Sequence, residues 1–147
     1  MLKTILVPID GSGYANRAVD YAGDLASKFD AKVVLLHAIH YPSEGLPDEL
    51  HRYAVSEHLD GPGEIDRVVE KILESAAIRA NNAGAENVSS QSHRGDPAQL
   101  ILDVAKTVGA DMIVMGSRGL GELKGLLVGS VSDKVLHHAE VPVTIVR

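Results

Sequence analysis

Short, uninterrupted apolar runs alternate with longer stretches in which apolar residues recur every three or four positions, and the alternation persists along the chain. Ile5-Leu6-Val7 with Ile9, Val33-Val34-Leu35-Leu36, Met112-Ile113-Val114-Met115 and Val143-Thr144-Ile145-Val146 read as buried strands. Asn87 to Ser92 is a weaker strand. Four helical stripes lie between them: Ala15, Ala18, Val19, Ala22, Leu25, Ala26 and Phe29; then Ile65, Val68, Val69, Ile72, Leu73, Ala76, Ala80 and Ala83; then Leu100, Ile101, Val104, Ala105 and Val108; and finally Val131 to Ala139. Gly84 stops the second stripe, and Asp96-Pro97 supplies an N-cap and a first helical residue for the third.

Strands that follow one another through helices pair in parallel by right-handed crossovers. The predicted fold is α/β: a single doubly wound, five-stranded parallel-type sheet with helices on both faces, Rossmann or flavodoxin-like, in strand order 3-2-1-4-5. The 147 residues, 45% of them apolar, suffice for a single domain, 1–147, with its own core. The segment from Ile39 to Gly63 is long for a connection and rich in Gly and Pro, and Asp48 to His58 within it predicts a short helix.

Open sheets of this kind bind ligands at the carboxyl ends of strands, where the winding reverses. In the predicted order, that point lies between the first strand, ending in Pro8-Ile9-Asp10-Gly11-Ser12, and the fourth, ending in Gly116-Ser117. After the fourth strand the chain runs Met115-Gly116-Ser117-Arg118-Gly119, then nine residues, then Gly129-Ser130 and a helix. Glycines admit an anion close to backbone N–H groups, and a helix N-terminus favours negative charge. The spacing is neither the Walker loop G-x-x-x-x-G-K-S/T nor the dinucleotide fingerprint G-x-G-x-x-G. Two readings of the local pattern remain: a phosphate site, or a surface loop that binds nothing.

The net charge of −6, from 20 acidic and 14 basic residues, argues against a nucleic-acid binder. The absence of cysteine excludes disulfides, thiolate catalysis and Cys-based metal centres. None of the seven histidines shows H-x3-H or H-E-x-x-H spacing, so no metal site is expected. No nucleophile elbow or triad order appears, and no general base or Walker lysine accompanies the glycine loop. No catalytic residue is assigned and no enzyme is expected, slow hydrolysis of a bound ligand apart. No stretch is long enough to cross a bilayer, and a cytoplasmic location is the default expectation.

The pattern Gly116-x2-Gly119-x9-Gly129-Ser130 resembles the signature of the ATP-binding branch of the universal stress protein family. Ile5 to Ser12 resembles that family's first strand and loop, Leu35-Leu36-His37-Ala38 its second strand, Gly95-Asp96-Pro97 its third helix entry, and Ser130 to Val135 with Val141-Pro142-Val143 its ending. The resemblance implies a stress-response regulator or sensor with a site for ATP or a related adenine nucleotide. It implies that Asp10 meets the ribose, that Pro8 and Ile9 shape the wall beside it, and that Ala38 contacts adenine through its backbone. Met115 and Gly116 line the opposite side, and Gly116, Gly119, Gly129, Ser130 and Val131 hold the phosphates. Arg118 could add a charge-assisted contact. Mg²⁺ could accompany the phosphates, although no carboxylate cluster is built for it. Read without the resemblance, Asp10 is a turn cap before the first helix and Ser130 an N-cap of the last.

A homodimer through the fifth strand, Val143, Thr144, Ile145 and Val146, is expected from its bare apolar edge, and the resemblance points the same way. Pro142 and Arg147 could instead blunt that edge. A nucleotide-free interaction module and a flavodoxin-like carrier are the other functional readings. Few aromatic residues are present to flank a flavin.

Overall fold

The computed structural model describes residues 1–120 and 128–147. The chain forms β1 (Thr4–Pro8), α1 (Gly13–Phe29), β2 (Lys32–Ile39), α2 (Asp48–Ser56), α3 (Glu64–Asn82), β3 (Asn87–Arg94), α4 (Pro97–Val108), β4 (Met112–Gly116), α5 (Ser130–His138) and β5 (Val143–Val146). The five strands make one sheet in the order β3-β2-β1-β4-β5, with every pairing parallel. The predicted order is the observed one.

Successive strand side chains point to opposite faces, and both faces here are apolar. Ile5 and Val7 of β1, Val33 and Leu35 of β2 and Val114 of β4 pack with Ala18, Val19 and Ala22 of α1 and Val68, Ile72 and Ala76 of α3. Leu6, Val34, Leu36, Ile113 and Met115 point the other way, onto Ile101, Val104 and Ala105 of α4 and Val135 of α5. Ile5, Leu6, Leu35 and Leu36 are completely buried, each contributing about 1.5–3 kcal/mol relative to an exposed side chain. A sheet buried this way leaves its strand ends as the natural place for a cleft.

Three elements depart from the sequence reading. β2 runs past its apolar core to Ile39, and β3 pairs with it along its whole length, from Lys32↔Asn87 to Ile39↔Arg94. β3 is an edge strand with no buried residue, which is why its polar sequence gives a weak strand signal. Helix α2 sits inside the long connection, ending two residues before the predicted bound, with Leu50 and Ala54 buried against the α1–α3 core.

Candidate functional site

The site is built from the two loops at the reversal of winding. On the β1 side, the Ile9 amide donates to the Leu36 carbonyl at 2.8 Å, extending the strand register by one residue. The Ile9 carbonyl in turn takes a hydrogen bond from His37 Nδ1 at 2.8 Å. His37 is 2% exposed. With its proton on Nδ1, its Nε2 accepts from the Tyr41 hydroxyl at 3.3 Å. Burial pushes the imidazole below its ordinary pKa, against upward pulls from the Ile9 carbonyl and Asp10 and with a downward push from His40. The lowered pKa favours the neutral ring, the form in which Nδ1 donates and Nε2 accepts.

Asp10 joins the two loops. Its Oδ1 accepts from the Ser12 amide and its Oδ2 from the Leu120 amide, both at 2.9 Å. The turn reading of Asp10 is therefore correct, but the cap of α1 is Ser12, whose Oγ accepts from Ala15 N at 3.1 Å. Each carboxylate oxygen retains a second acceptor position.

The β4 side is fastened differently. The Ser117 amide donates to the Val146 carbonyl at 2.7 Å, and the Gly129 amide to the Ser117 carbonyl at 2.6 Å. Ser132 Oγ donates to the carbonyls of Gly116 and Ser117. These bonds hold the start of α5 against the end of β4, closing the two ends of the glycine pattern on each other. Residues 121–127, most of its nine-residue spacer, lie outside the described residues. Gly129, not Ser130, is the N-cap of α5, and Ser130 is its first helical residue. A Cβ on Gly116 would lie 2.8 Å from backbone and side-chain atoms of Tyr14, and one on Gly119 would lie 2.6 Å from Asp10 Oδ2. Gly116 needs glycine because backbone atoms approach so closely, whereas at Gly119 the neighbour is the tip of the Asp10 side chain.

Between the two loops lies a cleft. Pro8, Ile9, Asp10, Ala38, Met115, Gly116, Arg118, Gly119, Gly129 and Val131 line it. Ser130 lines an adjoining chamber that shares Asp10, Gly119 and Val131. The structure thus gathers ten of the residues selected from the sequence around one cleft and places Ser130 in the chamber beside it. It adds Ala15, Leu36 and Ile101 to the apolar wall, and His40, Pro97 and Ser132. Leu36 and Ile101 read as core residues in sequence, which they also are. His37 and Tyr41 carried no signal, because one lies in a strand and the other beyond its end. Among the described residues, no group of three or more histidines and acids could hold a metal ion, and no helix is long and apolar enough to cross a membrane.

The chain is 36% identical over 147 residues to a universal stress protein of Thermus aquaticus, covering all of both chains. It is 35% identical over 160 residues to a universal stress protein of Bacillus subtilis, again covering all of both. A solved structure described as a universal stress protein in complex with cAMP is 29% identical and superposes with a TM-score of 0.71, over 99% of this chain and 97% of that one. The sequence model described as the Universal stress protein family matches residues 1–147, and on this full-length match the chain belongs to that family.

Proposed function

We propose that the cleft binds an adenine nucleotide, ATP foremost, and that the protein is a nucleotide-responsive regulator or sensor in stress physiology. The observation that carries the reading is the two-ended character of the cleft. One wall, with Leu36, Ile101 and Met115, is apolar and suits a purine. The other, with Gly116, Gly119, Gly129 and the α5 N-terminus, suits phosphate. The cAMP named with the solved relative is an adenine nucleotide with these same two ends.

In this reading Asp10 accepts from a ribose hydroxyl while keeping its two backbone donors. Ala38 and Pro8 border the base, and Gly119, Gly129, Ser130 and Val131 surround the phosphates. Asp10, already tied to two amides, is poorly placed to act as a general base, so binding rather than turnover is the proposed activity. Mg²⁺ is given no role. Mass spectrometry of small molecules released from freshly purified, denatured protein should show an adenine nucleotide, and calorimetry should show ATP binding to the stripped protein. A protein that releases none and binds none refutes the reading.

The proposal includes a homodimer. Among the described residues β5 pairs only with β4, and its four residues are half-buried. A second copy could add antiparallel across a two-fold axis. Ile145→Pro removes a ladder donor, and should shift the protein towards monomer in sedimentation. A wild-type protein already monomeric at micromolar concentration, with and without ATP, rules the dimer out.

A further inference from the structure

Arg118 carries an unmet hydrogen-bonding demand. Its Nε is buried and, among the described residues, has no hydrogen-bond partner. A buried donor of a charged group left unpaired is costly, because the water it gave up is not replaced. Its guanidinium carbon lies over the Tyr14 ring, 4.6 Å from the centroid. The Arg17 guanidinium lies over the same ring at 4.7 Å, and Arg17 Nε donates to the main-chain oxygen of Arg147 at 2.8 Å. Tyr14 is itself pressed against Gly116, whose missing Cβ leaves room for it. Among the described residues, Arg118 forms no ion pair with a carboxylate.

Two cations therefore share one aromatic ring at the wall of the cleft, and Arg118 lines the cleft itself. Stacking leaves the planar edge of a guanidinium, where its N–H groups lie, available to an anion. Of the parts of a nucleotide, only the phosphates carry negative charge. We propose that Arg118, presented by Tyr14, reads the phosphate charge of the ligand. A small turn of the partly exposed side chain brings its Nε to a phosphate oxygen as the missing partner, and the site favours ligands of high phosphate charge, ATP and ADP, over AMP and cyclic AMP. The inference rests on the nucleotide reading and names the ligand class within it. Tyr14 is a positioning residue in this scheme.

The test compares ATP, AMP, cyclic AMP, adenosine and inorganic tripolyphosphate by calorimetry and competition, on wild type, Arg118→Ala, Tyr14→Ala and Tyr14→Phe. Arg118→Ala should weaken ATP and tripolyphosphate by at least about tenfold, the scale of a lost charge-assisted hydrogen bond. AMP and cyclic AMP should weaken less, and adenosine by less than about twofold. Tyr14→Ala, which keeps the Cβ against Gly116, should give the same ordering with smaller losses. Tyr14→Phe, which keeps the ring, should restore the wild-type ordering. A merely structural arginine would leave the ratio of ATP to adenosine affinity unchanged, and that result overturns the proposal. Failure of wild type to prefer any adenine compound over tripolyphosphate overturns the nucleotide reading instead. In that case Arg118 as a phosphate reader stands or falls on the tripolyphosphate comparison alone.

Discussion

The two sides of the cleft are built on opposite plans. On the β1 side, polar groups are engaged: Ile9 bonds through both its amide and its carbonyl, His37 bonds through both ring nitrogens, and Asp10 spans two amides. On the β4 side, the strand end is pinned by Ser117 and Ser132, but the side chain just beyond, Arg118, keeps a buried donor without a partner among the described residues. The first wall is finished without a ligand and acts as a fixed template. In the proposed reading, the second is completed by a phosphate. A site divided this way can recognise a base and ribose by shape while keeping its response to phosphate in one loop.

The comparison breaks most readily at Gly116. Its absent Cβ leaves room for backbone atoms of Tyr14 and Ala15, which cannot rotate away as a flexible side chain would. Gly116→Ala should cost about 1–3 kcal/mol of stability, the usual price of overpacking. It should also lower ATP affinity by more than about tenfold, since it moves the platform under Arg118. Denaturant melts and calorimetry check both. A neutral variant would mean that α1 does not brace the phosphate side.

Asp10→Ala attacks the finished wall. Two amides lose their acceptor, and a loss of about 1 kcal/mol is expected, because both bonds lie at least partly in reach of water. ATP should weaken more than tripolyphosphate, since only ATP carries a ribose. Equal weakening of both would reduce Asp10 to a clamp between loops.

The smallest effect is the sharpest probe of the template. Unfolded, His37 titrates near 6.5, whereas burial holds it lower in the folded protein. Above 6.5 the ring is neutral in both states and its contribution to stability is complete. As pH falls below 6.5 the unfolded chain takes up the proton first, so stability declines until the folded value is passed. The slope attributable to His37 is at most about 1.4 kcal/mol per pH unit. Urea melts between pH 7.5 and 5.5 should show a shallower decline in His37→Asn than in wild type. Identical slopes would remove His37 from the pH response.

Much of this architecture is legible in the chain. β1, β2 and β4 announce themselves as unbroken apolar runs because a doubly covered sheet buries both faces of its central strands. The glycine pattern is legible for the same kind of reason: close approach leaves no room for a side chain, so glycine marks the spot. β3 is nearly silent because an edge strand holds its place through backbone bonds, which any side chain permits. The caps are a finer case. Asp10 and Ser12 both suit a helix start, as do Gly129 and Ser130, and only the path of the backbone chooses between members of each pair.

What the sequence determined by itself is the order of elements, the sheet that follows from it, and the residues at the point where the winding reverses. Those follow from periodicity and sterics, which act over a few neighbouring residues. What only the tertiary structure decided is which partners those residues meet. His37 reaches Ile9 across 28 residues, Leu120 reaches Asp10 across 110, and Tyr14 comes to lie under Arg118 from another element. Such pairings depend on distances set by the packed sheet and helices, so no local pattern encodes them.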